Sequence, residues 1–172
     1  ALGNRSILAD PRLPKMKATL NLKTKNREDF RPFAPAIPLE HKTDFFENGL
    51  PSPYMTTTTM LRPEHQLATD STFLEADIRT KLLTPKSNLP AITHADFSAR
   101  VQTVSPQTNE RFYKLLKAFG KVTGTPVLIN TSFNVNEEPI VASPEDAIRC
   151  FAGTEIDMLV MGNFVVLKPT ST

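Results

Sequence analysis

Pro126-Val127-Leu128-Ile129-Asn130-Thr131-Ser132-Phe133-Asn134 decides how the rest of the chain is read. Residues 126–130 form a short apolar run, the mark of a strand buried on both faces. Polar side chains gather at its end: Asn130, Thr131, Ser132 and Asn134. Upstream, residues 109–122 place Phe112, Leu115, Leu116 and Phe119 at helical spacing, with Gly120 as a stop. Downstream, Ser143-Pro144-Glu145-Asp146 combines an N-cap serine, a proline at the first helical position and acids in the first turn. That helix is predicted to reach Phe151 or Ala152 and to stop at Gly153. Strands over 157–161 and 164–167 then fold back around Gly162-Asn163. The C-terminal half reads helix–strand–helix–strand–strand, an α/β (α+β) pattern.

The N-terminal half is less periodic. Leu13, Met16 and Leu20 have helical spacing, with Lys15 and Lys17 on the outer side and Pro14 in the first turn. Pro32, Pro35 and Pro38 make residues 30–39 extended and, by expectation, poorly paired on one side. Residues 44–48 fit a short helix ended by Gly49. A proline-bounded loop over 50–56 leads into a Thr-rich strand over 55–61. Residues 62–90 are polar and aperiodic, an excursion with room for a short helix or hairpin near 71–83. Strand character returns over 92–104.

Composition narrows the function classes. The 172 residues carry 40% hydrophobic and 22% charged side chains, a globular balance in a chain of single-domain size. One cysteine, Cys150, excludes an internal disulfide framework and a multi-cysteine zinc site, and it reads as a buried, inert thiol. His41, His65 and His94 lack metal-ligand spacing, so no protein-held metal is expected. No apolar run approaches the ~18 residues of a membrane span, and a cytoplasmic location is expected. The start at Ala1, without an initiator methionine, is read as a fragment cut from a longer chain. The net charge of +2 divides into +5 over residues 1–31 and −3 over the remainder. A basic block beside an acidic body suits a bound anion, although a solvated helix face has the same pattern. Six glycines include no phosphate loop, so any nucleotide must be held by side chains and strand ends.

Three clusters are candidates for chemistry. Lys25, Arg27 and Arg31 lie within seven residues at the junction of a helix and an extended segment. Together they suit a polyphosphate, or they answer a helix dipole. Asn130 to Asn134 lie beyond a strand's carboxyl end, where open α/β sheets bind ligands; an ordinary turn uses the same residue types. Asp96, Ser98, Arg100 and Gln102 form one polar row if 92–104 is a strand, facing either a ligand or solvent.

Five ordered blocks carry a family resemblance. They are Ala1-Leu2-Gly3-Asn4-Arg5-Ser6-Ile7-Leu8-Ala9-Asp10-Pro11-Arg12, Arg27-Glu28-x-Phe30-Arg31-Pro32-Phe33-Ala34-Pro35, Ser52-Pro53-Tyr54-Met55, Thr93-His94 with Ser98 to Val104, and Asn130 to Asn134. The chain resembles the C-terminal region of NodU/CmcH-type O-carbamoyltransferases, with residues 62–90 the weak stretch. The resemblance implies one YrdC-like domain over 1–172, a twisted mixed sheet flanked by helices. It implies formation of carbamoyl adenylate from carbamoyl phosphate and ATP with Mg²⁺, releasing pyrophosphate. A separate N-terminal domain of actin/sugar-kinase type, carrying its own metal, would then pass the carbamoyl group to an acceptor hydroxyl.

By the same resemblance Lys25 and Arg31 clamp the triphosphate, Arg100 holds the carbamoyl or α-phosphate group, and Ser132 and Asn134 donate hydrogen bonds. Arg5, Arg27, Tyr54, Asn130 and Thr131 are expected to bind the nucleotide. Family members usually carry Gly-Pro-Arg before the first block, which here begins at Ala1. The expected partners are ATP, carbamoyl phosphate and the transfer domain, with a homo-oligomer open and neither membrane nor nucleic acid favoured. The competing readings are a non-catalytic nucleotide- or RNA-binding module of this fold, and a domain whose polar faces only dock a partner.

Overall fold

The apolar run enters the interior of a mixed sheet. In a computed structural model, which describes residues 2–25, 31–68, 73 and 75–168, four strands pair in the order β1-β6-β2-β5. These are β1 (Ser6–Ala9), β2 (Pro35–Pro38), β5 (Gln102–Val104) and β6 (Leu128–Ser132). β6 runs antiparallel to both neighbours, with Leu8 opposite Asn130 and Pro35 opposite Ile129. β2 and β5 are parallel, with Ala36 opposite Gln102. Two further ladders lie outside this sheet: β3 (Thr58–Met60) with β4 (Ser98–Arg100), and the hairpin of β7 (Met158–Met161) with β8 (Phe164–Leu167).

Alternation along the strands sorts their side chains onto two faces. Ala36, Val104 and Leu128 pack with Phe112 and Leu116 of α4 (Pro106–Thr123). Ile7, Ile37 and Ile129 face the larger core, which also holds Phe45 of α2 (Lys42–Phe45) and Ala147, Cys150 and Phe151 of α5 (Pro144–Ala152). Helical side chains thus cover the sheet on both faces. Two shorter α-helices are α1 (Met16–Leu20), continued by a π-turn over Asn21–Lys25, and α3 (Ile78–Leu83). Among the described residues no helix is long and apolar enough to cross a membrane.

Local chemistry explains the element ends. The Ser143 hydroxyl accepts from Asp146 N–H while the Asp146 carboxylate accepts from Ser143 N–H, a complete capping box. Gly120 does not end α4. The helix runs to Thr123, and Gly124, at φ +75°, takes the left-handed position that closes it. Gly120 is instead a point of close approach, since a Cβ there would lie 2.6 Å from Pro126 Cβ. Gly3 plays a similar part: a Cβ would meet the Phe112 ring at 2.3 Å, and its φ of +91° favours glycine independently.

The structure corrects several boundaries. The helix expected over 44–48 lies at Lys42–Phe45, the strand expected over 55–61 is Thr58–Met60, and α4 begins three residues earlier than its apolar period. The proline-rich segment is not poorly paired. β2 has a neighbour on each side: its prolines fall at the two ends of a four-residue strand, and the residue just ahead of it still offers a carbonyl. Asn130 N–H, for example, donates to Ala34 O at 2.8 Å. The strand expected over 92–104 is broken at Val101 into two pieces that join different sheets, so the proposed row of four does not exist as one face. Ser98 is buried beside Asp96, whereas Arg100 is exposed and Gln102 is buried in the main sheet.

Candidate functional site

A cleft of about 740 Å³ opens where β6 ends and α4 begins. Its wall combines Asn130, Thr131 and Ser132 with Arg5 and Ser6 ahead of and in β1, Ala34 before β2, and Gln102 to Val104 of β5. The strand directions make this the carboxyl end of β6 and the amino end of β1, β2 and β5. The cleft thus lies at the carboxyl end of one strand of four, and Asn130, Thr131 and Ser132, expected beyond that strand, are its last three residues. Thr108 and Asn109, in the first turns of α4, form the opposite wall. Asn109 departs from helical geometry (φ −156°, ψ 75°), and its Nδ2 donates to Leu2 O and Asn4 Oδ1, tying the N-terminal segment to the cleft rim.

Two cations face this space. Arg5 is anchored, with Nη1 donating to Val141 O at 3.1 Å. Arg100 is exposed, and its guanidinium has no hydrogen bond or ion pair to any described residue. A lip formed by Pro53, Tyr54 and Met55 stands over the cleft, with Tyr54 76% exposed. The loop is held by Ser52, whose N–H donates to Thr103 Oγ1 while its carbonyl accepts from Thr103 N–H. Met55 has a φ of +57°, an uncommon conformation for a non-glycine residue and one that often accompanies a binding loop.

Behind the wall lies a buried ammonium. Lys25, 8% exposed, sits at the end of the π-turn and directs Nζ at Ser132 O (2.7 Å), Ser132 Oγ (3.1 Å), Asn134 O (2.9 Å) and Asn134 Oδ1 (2.8 Å). Ser132 Oγ–H donates to Asn134 Oδ1, and Asn134 Nδ2 donates to the carbonyls of Val135 and Glu138. The turn that ends β6 is thereby shaped around one cation. Ser132 reaches the cleft, whereas Lys25 and Asn134 are not among its lining residues.

Six of the ten residues singled out from the sequence line the cleft: Arg5, Tyr54, Arg100, Asn130, Thr131 and Ser132. Arg31 is exposed next to the lining residue Pro32, and Arg27 lies outside the described residues. The sequence reading passed over Thr108 and Asn109. Ser105-Pro106, a helix start three residues ahead of the apolar period, was the available signal.

Next to Arg100, Ser98 Oγ contacts His94 Nδ1 at 2.9 Å and Asp96 Oδ1 at 2.7 Å. The single hydroxyl proton goes to the carboxylate, so His94 Nδ1–H is the donor to the serine oxygen. This is the reverse of the proton flow in a nucleophilic triad. Burial pushes the His94 imidazole below its ordinary value, with Arg100 adding to the effect and Asp96 opposing it. The Cys150 thiol is buried and pushed up, chiefly by desolvation, as an inert thiol would be. Among the described residues no group of three His, Cys, Asp or Glu side chains is placed to hold a metal ion.

Comparison with known sequences gives a concordant result. The family model described as carbamoyltransferase C-terminus matches residues 1–168. An uncharacterized protein of Synechocystis is 52% identical over 98% of this chain and 27% of its own length. The nodulation protein NolNO of Sinorhizobium fredii is 40% identical over 100% of this chain and 23% of its own. The 3'-hydroxymethylcephem-O-carbamoyltransferase of Streptomyces clavuligerus is 32% identical over 95% of this chain and 27% of its own. The chain thus spans about a quarter of the length of these relatives.

Proposed function

The chain belongs to the carbamoyltransferase C-terminal family, and from that premise we propose that the cleft binds ATP and carbamoyl phosphate and forms carbamoyl adenylate. The observation that carries this reading is Arg100, a guanidinium without a described partner, facing a cleft walled by strand-end amides and hydroxyls. Water cleaves carbamoyl phosphate to carbamate and inorganic phosphate. A carbamate oxygen then attacks the α-phosphorus of ATP, the α–β phosphoanhydride bond breaks, and pyrophosphate leaves. Such a step needs alignment and charge neutralisation rather than a protein nucleophile. Arg5 and Arg100 supply positive charge, Ser132 and Thr131 supply hydroxyls, and Tyr54 offers an exposed ring for a base to stack on.

Among the described residues no carboxylate lines the cleft, so a magnesium ion would be carried on the phosphate oxygens. Lys25 and Asn134 take a supporting part: they hold the Ser132 turn. Transfer of the carbamoyl group to an acceptor hydroxyl would fall to the remainder of a longer carbamoyltransferase. The test is pyrophosphate release dependent on carbamoyl phosphate, measured on the full-length enzyme with Arg100→Ala. Release at the unmutated rate overturns the assignment, as does salt-sensitive RNA binding in the absence of saturable ATP binding.

A further inference from the structure

Asn130 and Gln102 are the two buried carboxamides of the described cleft wall, at 3% and 4% exposure. They stand on β6 and β5, with β2 between them. The segment they reach across carries Ala34, just ahead of β2, and Ala36 within it, and such short side chains leave room for Asn130 Nδ2 to donate to Gln102 Oε1 at 2.6 Å. That bond uses half of each carboxamide. Gln102 Nε2 and Asn130 Oδ1 have no partner among the described residues, yet no side-chain polar atom there is both buried and unsatisfied. The two groups are therefore reached from the cleft. Exchanging N and O in both amides keeps the bond and still leaves one NH₂ and one carbonyl facing outward.

We propose that the Gln102–Asn130 pair is the specificity element for the carbamoyl group, reading its H₂N–C=O unit with one donor and one acceptor. The inference rests on the adenylating function assigned to the cleft. A primary amide presents the complementary carbonyl and N–H, and a site that hydrogen-bonds an NH₂ rejects a methyl in its place because its own buried groups are left unpaired. Charge placement favours the carbamoyl end over the adenine. Arg100 precedes Gln102 by two residues, which sets their Cα atoms at most roughly 7 Å apart, and both line the cleft, so the amides lie near the cation suited to phosphate. The exposed aromatic ring is on the separate Tyr54 lip.

The experiment uses the full-length enzyme and two near-isosteric, uncharged variants, Gln102→Met and Asn130→Leu. KM is measured separately for carbamoyl phosphate and for ATP, and acetyl phosphate, with methyl in place of NH₂, serves as competitor. For each variant we expect the carbamoyl phosphate KM to rise about 10-fold or more, an ATP KM close to the unmutated value, and weaker discrimination against acetyl phosphate. Variants that melt like the parent and keep its carbamoyl phosphate KM overturn the proposal. A parallel rise in ATP KM also overturns it, by assigning the amides to the adenine edge. If the unmutated enzyme releases no pyrophosphate from ATP, the function of the cleft falls, and this inference falls with it. Normal release combined with unchanged selectivity in both variants overturns the inference alone.

Discussion

Two concavities of similar size lie at opposite ends of α4, and they treat their polar groups differently. The cleft at its amino end, about 740 Å³, leaves a guanidinium and half of each of two buried amides open. The pocket at its carboxyl end, about 700 Å³, is lined by His41, Asp44, His65 and Lys117. There the polar groups answer one another. Lys117 Nζ is 2.8 Å from His41 Nε2 and 3.2 Å from Glu40 Oε1. An ammonium only donates, so His41 Nε2 accepts, and Nδ1–H donates to Asp44 Oδ2 at 2.8 Å. His65 donates from Nε2 to Asp44 O, accepts from Asn88 at Nδ1, and stacks on Phe45 at a centroid distance of 4.5 Å. Volume alone does not separate a binding site from a fold-stabilising recess. Unsatisfied but reachable hydrogen-bonding capacity does.

Arg100→Ala is the most forceful way to break that contrast. Its guanidinium supports nothing in the described fold, so stability should change by less than about 0.5 kcal/mol. Pyrophosphate release should fall about 100- to 1,000-fold, the cost of removing one oriented charge from a transition state. Chemical denaturation and a coupled pyrophosphate assay on the same preparation test both halves. A large stability loss would place Arg100 with the self-satisfied groups.

Lys25→Met should show a mixed effect. Its ammonium shapes the Ser132 turn from behind; removal takes a charged donor from half-buried oxygens, of which Ser132 O keeps Asn134 N–H and Asn134 Oδ1 keeps the Ser132 hydroxyl. Each charged hydrogen bond contributes roughly 1.5–3 kcal/mol, and the loss should lie at the lower end of that range once water reaches the turn. Activity should fall in parallel through kcat. A drop in activity with unaltered melting would instead put Lys25 in contact with substrate.

Lys117→Ala sharpens the other half of the comparison. Its partners Glu40 and Lys117 itself are about half exposed, so a loss of at most ~1 kcal/mol is expected, with pyrophosphate release unchanged. Impaired release at full stability would make the carboxyl-end pocket functional.

How far these differences were legible follows from the range of the interactions that cause them. The apolar run at 126–130, the N-cap at Ser143 and the Gly162-Asn163 turn are written in neighbouring residues; the structure shows the cap and the hairpin, and places the strand two residues later, at Leu128–Ser132. The position of β2 was not legible. Its prolines argue for an edge, and only the antiparallel β6 on one side and parallel β5 on the other show how they are accommodated. The cations Lys25 and Arg100 look alike in a charge count, but one is buried under a turn and the other faces the cleft. The pairing of Gln102 with Asn130 joins residues 28 apart across an intervening strand, which no local pattern announces.

The smallest effect expected lies beside the cleft, at His94. Burial holds its imidazole below the ordinary value of 6.5, reinforced by Arg100 and opposed by Asp96. A lowered folded-state value means that the unfolded chain binds the proton first as pH falls. The contribution of neutral His94 is then complete above about pH 6.5 and is lost as pH drops through the lower folded value. His94→Asn should therefore flatten the stability slope between pH 7 and pH 5.5 while leaving stability at pH 8 little changed. Asp96, whose carboxyl is held low chiefly by the Ser98 hydroxyl, titrates below that window and does not confuse it. Denaturation midpoints of both proteins at these pH values supply the measurement. An identical slope in both would show that protonation of His94 is accommodated, and that its contact with Ser98 does not depend on its charge state.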